Sequence, residues 1–225
     1  MAVIEVGPAK AYKTPALGIY AARNGDTVAI DAGTYTGKDA VSVIPTGNLT
    51  ITGMGGRVVL NARDANNVAH NVYTKGIFVV SVPKDETITF KGIDFVGARI
   101  ADTDGKNGAG IRIEKGSIKV EDCSFYYNQN GILGAGNEIG KVEIRNSEFA
   151  FNGHGDGLSH SIYVSPVELI FECNVSRNVN TGQALKTRAA LSTIRYNLLG
   201  ESTPAAGGNT NVEVDIPNGG EIILI

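Results

Sequence analysis

The stretch Gly110-Ile-Arg-Ile113, Ile118-Lys-Val-Glu-Asp122, Gly131-Ile-Leu-Gly134, Val142-Glu-Ile-Arg-Asn146 decides the fold. A short strand opening on a small residue is followed by a second alternating strand that runs into a turn, and the pair then repeats. Working outward, the alternating strand returns as Leu49-Thr-Ile-Thr-Gly53, Ile88-Thr-Phe-Lys-Gly92, Leu169-Ile-Phe-Glu-Cys173 and Ser192-Thr-Ile-Arg-Tyr196. Its partner returns as Gly76-Ile-Phe-Val79, Ser161-Ile-Tyr-Val164, Ala184-Leu-Lys-Thr187 and Glu213-Val-Asp-Ile216. Irregular repeats of about 21 to 39 residues made of short strands predict a β-solenoid in which each repeat is one coil.

Composition fits a chain that turns a corner every few residues. Its 225 residues include 29 Gly and no Trp, and Gly and Asn tolerate the positive φ that such corners need. The strands favour Val, Ile and Thr, which suit a pleated, half-buried surface. An uninterrupted repeat argues for one elongated all-β domain over 1–225, with a cap at 1–26 and coils over 27–225. The small, polar stretch Thr203–Asn211 reads as a loop bulging from one coil, and Asn66–His70 as another.

Net charge is −3, and the absence of a Lys/Arg run argues against a nucleic-acid partner. No apolar stretch approaches the ~20 residues that a transmembrane helix needs. Met1-Ala-Val-Ile-Glu-Val6 lacks the basic and apolar regions of a signal peptide. The expectation is a secreted, cell-surface or virion-associated protein whose leader is missing, or one that leaves the cell by another route.

The cap centres on Pro15–Arg23, with apolar Leu17, Tyr20 and Ala21 suggesting an amphipathic helix of about two turns, Thr14 as N-cap and Pro15 at N1. A helix laid across an open solenoid end would cover its core and strand edges. At the other end, Glu221-Ile-Ile-Leu-Ile225 is a bare apolar strand that invites pairing. Either the chain continues there, or oligomer contacts form through that strand or the sheet faces. Cys123 and Cys173 are separated by a whole coil; two spacings of ~4.8 Å hold their Cα atoms ~9.6 Å apart, beyond disulfide reach. They are expected to be free, mostly buried thiols.

Val6-Gly7-Pro8, a short helix, and then Asn24-Gly-Asp-Thr-Val-Ala-Ile-Asp-Ala-Gly-Thr-Tyr35 resemble the opening of right-handed parallel β-helix proteins of the pectate-lyase-like superfamily. Ser159–Ser165, Leu185-Lys-Thr-Arg-Ala189 and Asp215-Ile-Pro-Asn-Gly-Gly220 resemble a bacterial subset of them. The chain departs from that subset at Gln183, where the subset has His, and in its basic pair, which the subset writes Lys-Ser-Arg. The resemblance implies a single-stranded right-handed parallel β-helix with a short N-terminal capping helix, and a glycan partner. It also implies calcium as a common companion, for which Glu201, Glu213 and Asp215 are the available carboxylates.

The repeat places a candidate site by itself. Aligning Ile77, Ile111, Ile132, Ile162, Leu185 and Val214 as inward residues makes the next residue in each strand point outward. That column reads Phe78, Arg112, Leu133, Tyr163, Lys186, Asp215; two residues on, it includes Glu114, Ser165, Arg188 and Pro217. The polar loop Gly153–His160 is expected to enter this row as an exposed segment. Opening a uronic-acid chain by β-elimination needs a carboxylate neutraliser, a base for the C5 proton and a donor for O4. Arg188 or Arg112 suits the first role, since a guanidinium binds a carboxylate bidentately. Lys186 suits the second, beside a guanidinium that disfavours its charge. Tyr163 or His160 suits the third, while Glu114 and Asp215 would contact substrate.

A lyase or uronate epimerase acting on an acidic polysaccharide is therefore one reading. The other is a non-catalytic glycan-binding or structural β-helix of an adhesin or tailspike-like part. The plainer account of Lys186 and Asp215 is a cross-strand ion pair, worth ~0.2–1 kcal/mol. No metal site is assigned: His154, Asp156 and His160 have no shared strand or helix spacing.

Overall fold

The computed structural model describes residues 1–69, 75–200 and 210–225. His70 and Glu201, together with most of the 203–211 segment, lie outside the described residues; Thr210 and Asn211 already belong to a strand, Thr210–Asp215.

Each coil is three short strands laid end to end, and every coil hydrogen-bonds in parallel to the one before. One complete coil runs Asn130–Gly134, Ile139–Arg145, Glu148–Ala150. The next runs Ile162–Val164, Glu168–Glu172, Val175–Arg177, and pairs with it strand for strand. Stacking yields three parallel sheets, here called the face, long and short stacks. The alternating strands align as the sequence predicts, with Ile118, Val142, Leu169 and Ser192 in one row. The face stack also aligns as expected from Arg112 onward, but not at Gly76–Ser81. There Val79, not Phe78, stands beside Arg112, and Phe78 is fully buried against Phe90 and Phe95. Ile77 and Phe78 are both enclosed, so an alternating pattern misreads this strand by one residue.

Inside the coils, Phe95, Phe125 and Phe149 stack at centroid separations of 4.9 and 4.6 Å with planes 8° and 2° apart. One ring per coil fills the core at the coil spacing. The corners need positive φ, and the repeat supplies it in two columns. Gly92, Asp122, Asn146, Cys173 and Tyr196 turn the chain from long to short stack; Gly97, Tyr127, Phe151 and Asn178 turn it out of the short stack. Cys173 is therefore exposed and Cys123, one position past its own corner, buried. The expectation that both thiols are mostly buried fails for Cys173, because the left-handed residues of the long-to-short corner, Asp122, Asn146, Cys173 and Tyr196, point their side chains outward.

Just after four of these corners, those at Tyr127, Phe151, Cys173 and Tyr196, comes an asparagine whose amide bonds the neighbouring coil. Asn128 Oδ1 accepts from Ala98 N at 2.8 Å, its Nδ2 donates to Phe95 O, and its own backbone N donates to Asn152 Oδ1. A second ladder runs through Asn174, which accepts from Ser147 N, donates to Ile144 O, and is supported from Asn197. Buried backbone groups that the strands leave unpaired at corners are satisfied by the neighbouring coil.

At the N-terminal end, the first strand is Val3–Val6, pairing with Thr27–Ile30, so a strand precedes the helix. The helix is Pro15–Ala21, with Thr14 accepting from Leu17 N and Pro15 in its first turn, as expected. Its buried face is not the expected one. Pro15, Gly18 and Ile19 face the core, while Leu17 and Tyr20 are 50% and 62% exposed. Gly18 is required there: a Cβ would stand 2.3 Å from Val6 Cγ2. At the other end, Glu221–Leu224 pairs with Leu191–Ile194, and Leu224 and Ile225 are exposed. Among the described residues no helix is long and apolar enough to cross a membrane.

Two outcomes test this account. Asn128→Ala strands an inward N–H and C=O and should cost ~2–4 kcal/mol in urea unfolding, whereas a neutral result would show that the ladder is dispensable. Burial pushes the Cys123 thiol up to about 12. A thiol reagent should therefore titrate one cysteine in the native protein and two after unfolding.

Candidate functional site

The face stack gathers the outward residues of four neighbouring coils. Leu133, Tyr163, Lys186 and Asp215 are consecutive Cα partners. Lys186 Nζ lies 2.9 Å from Asp215 Oδ2 and 5.6 Å from the Tyr163 ring centroid. From the end of the same strand Arg188 donates Nε–H to Tyr163 Oη at 3.0 Å, and its other arm is held by Asn218 Oδ1. The guanidinium carbon sits 5.9 Å from the same ring, so Tyr163 carries two cations beside its π-face.

His160 is placed differently from the expectation. It is 3% exposed, its ring edge meets Tyr163 at a centroid distance of 5.7 Å, and its Nδ1 accepts from Gln183 N. The loop that carries it folds in because Asn130 Oδ1 accepts its backbone N–H and Ser159 Oγ donates to Lys106 O. Burial, and then the Lys186 ammonium, hold its imidazole down at about 4. His160 is thus a neutral ring supporting Tyr163 from below, not an exposed proton donor.

Arg112 and Glu114 are not brought to this cluster. Leu133 stands between Arg112 and Tyr163, two spacings or ~9.6 Å of strand separation. Arg112 Nε instead pairs with Glu114 on its own strand. His154, expected near the row, bonds Asp102 at 3.1 Å across the opposite corner, and among the described residues no group of three metal-ligating side chains forms.

Reading strand columns misses what lies past the strand ends. Where the face stack turns toward the long stack, a groove of about 560 Å³ runs across several coils. Arg188 and Asn218 line one part and Lys84 and Asn137 another, with Ser165 between them and Gly136, Gly219 and Gly220 leaving room. Lys84 Nζ donates to Asn137 O at 2.7 Å. Among the described residues no carboxylate lines this groove. The outer face of the long stack is the reverse: Lys91–Glu121, Lys141–Glu168 and Arg145–Glu172 close its cations at 2.7, 3.0 and 2.6 Å. Asn218 had a signal in the sequence, in Asp215–Gly220; Lys84, in a plain Val-Pro-Lys-Asp-Glu turn, had none.

No family model matches this chain, and no curated protein matches it. Among solved structures it is similar to a mutant pectin methylesterase in complex with a hexasaccharide, with TM-score 0.55 and 13% identity over 89% of this chain and 66% of that one. The chain is a parallel β-helix. It is also similar, with TM-score 0.46 and 12% identity, to a mutant of a PL6 family alginate lyase, over 100% of this chain and 40% of that one. This parallel β-helix therefore spans 66% of one solved relative's length and 40% of the other's.

The His160 environment has a pH consequence. Unfolded, its imidazole titrates near 6.5; folded, it titrates at about 4. Between those values the unfolded chain binds more protons, so this contribution is complete above pH ~6.5 and lost as pH falls toward 4. Unfolding free energy should drop by about 2 kcal/mol between pH ~7.5 and ~5. In His160→Asn that slope should largely vanish, and an unchanged slope would place the proton elsewhere.

Proposed function

We propose that this β-helix binds a carboxylate-bearing polysaccharide in the groove at the Arg188 corner. One observation carries the reading: in a chain of net charge −3, this groove presents Arg188 and Lys84 and, among the described residues, no anion. Among the described residues both cations bond neutral oxygens alone, those of Tyr163, Asn218 and Asn137. A guanidinium held by a hydroxyl and an amide is fixed in place but not neutralised, which suits bidentate capture of a carboxylate. The groove crosses successive coils, the shape a linear polymer fits. The solved pectin methylesterase complex supports the class of ligand, since the same fold holds a hexasaccharide there.

A second reading, a lyase or epimerase, draws on the contact between Tyr163 and Arg188 with Lys186 alongside. Arg188 would neutralise the uronate carboxylate and Lys186 would take the C5 proton. In a lyase the electron pair left behind forms the C4–C5 double bond as the C4–O4 bond breaks, and Tyr163 delivers its proton to O4. An epimerase would return a proton to C5 from the opposite face. The Lys186–Asp215 ion pair weighs against this reading, because an ammonium paired to a carboxylate has no lone pair with which to accept a proton. Binding is accordingly the primary conclusion, with Asp215 acting on Lys186 and not on substrate.

Affinity for polygalacturonate and alginate, measured by calorimetry, should fall about tenfold or more in Arg188→Ala and weaken with added salt. Equal affinity in the variant would remove the groove as the site. Absorbance near 235 nm during the same incubations separates the two readings. A rise that Lys186→Ala abolishes would establish elimination, and a flat trace with intact binding leaves the protein a glycan-binding module.

A further inference from the structure

Lys84 and Arg188 enter the groove from different coils, and the winding of the chain fixes how far apart they act. Backbone bonds mark each step across the corner. Ser165 N donates to Gly134 O and Arg188 N to Val164 O, so Gly134, Ser165 and Arg188 lie on consecutive coils. Lys84, in the turn between Gly76–Ser81 and Thr87–Lys91, belongs two coils before Gly134. Its turn nevertheless leans over the intervening coil. Ser117 Oγ donates to Lys84 O at 2.9 Å, and Gly140 leaves room for that carbonyl, which would stand 2.5 Å from a Cβ there. The ammonium ends against Asn137 O at 2.7 Å, on the coil of Gly134. Arg188 is held between Tyr163, one coil back, and Asn218, one coil on. The two cations are therefore two coil steps apart, ~9.6 Å of strand separation. The coil between them brings Ser165, Pro166 and an exposed Val167 to the groove, and no charged residue among those described.

We propose that the groove reads an acid–any–acid pattern over three consecutive sugars, with Lys84 and Arg188 holding the carboxylates of the two outer ones. The inference rests on the groove being the glycan site, and adds to that reading a register and a minimum length. One pyranose of an extended 1,4-linked chain advances by a distance close to one coil step, so two steps separate a sugar from its next but one. In a chain with twofold winding those two sugars turn their carboxylates to the same side, and the sugar between them turns its own away. The middle ring then lies over Val167 and needs no cation. Arg188 grips its carboxylate through a planar fork while Lys84 supplies a point charge, so Arg188 anchors the chain and Lys84 sets its length.

Calorimetry with di-, tri- and tetragalacturonate tests the register. Affinity should rise about tenfold or more from dimer to trimer, because the second contact becomes intramolecular once the first is made, and only about threefold or less from trimer to tetramer. In Lys84→Ala the dimer-to-trimer step should vanish, and Lys84→Arg should restore it. Apart from the bond to Asn137, the contacts described for Lys84 are made by its main chain, so Tm should move little. Trigalacturonate methyl-esterified on its central sugar should bind like the free acid, whereas an ester on a terminal sugar should return it to the affinity of the dimer. A dimer that binds as tightly as the trimer, or a step that survives Lys84→Ala, would overturn the register while leaving the groove in place. Loss of affinity on esterifying the central sugar would overturn it in the same way. Binding by none of the three, or equal binding by Arg188→Ala, would overturn the groove itself and the register with it.

Discussion

Everything in this molecule depends on how a buried corner satisfies its backbone. A strand can leave its hydrogen bonds to the next coil, but a tight turn cannot, and three turns per coil repeated along the axis would accumulate unpaired N–H and C=O groups at prohibitive cost. At the two corners that flank the short stack, the Asn128–Asn152 and Ser147–Asn174–Asn197 ladders lower that cost by lending a corner a side-chain amide, or the Ser147 hydroxyl, from the next coil. The ladders in turn require one left-handed residue immediately before the asparagine or its stand-in. That requirement fixes where side chains leave the surface, and hence where Cys173, Tyr127 and Phe151 stand.

The strand register was legible because a period of two leaves little freedom once one face is buried. Ile118, Val142, Leu169 and Ser192 align whether read or observed, and so do Tyr163, Lys186 and Asp215. Reading failed where burial departs from alternation, as at Ile77–Phe78, where both side chains are enclosed. Alternation of burial is equally hard to follow at the cap, where a seven-residue helix has room for one apolar stripe and Leu17 and Tyr20 form a more apolar-looking pair than Gly18 and Ile19. Gly18 is invisible to an apolar pattern, yet it sets the face by letting Val6 approach.

At the site, the sequence located the cluster and mistook the state of its members. A column shows that Lys186 and Asp215 are neighbours, but not that they close into an ion pair, and it cannot show that the loop ending at His160 folds inward. Both facts come from contacts between coils distant in sequence. The groove itself lies past the strand ends, where Lys84 and Asn218 come together from turns 134 residues apart, because the winding of the chain and not its local pattern sets them on one edge.

The equivalence of corners also bears on how such a chain changes length. Asn146 and Cys173 occupy the same place in successive coils, with the same backbone handedness and with the strands before and after them in register. A duplication of residues 147–173 would insert one complete coil whose two edges meet strands of native register. The inserted asparagine would join an existing ladder, and the ring would join an existing stack. In-frame recombination between corners is therefore close to neutral for folding, while it extends the polymer-facing edge by one step of ~4.8 Å. Reach along a ligand is thus a property that heredity can adjust by counting coils, without reshaping any of them.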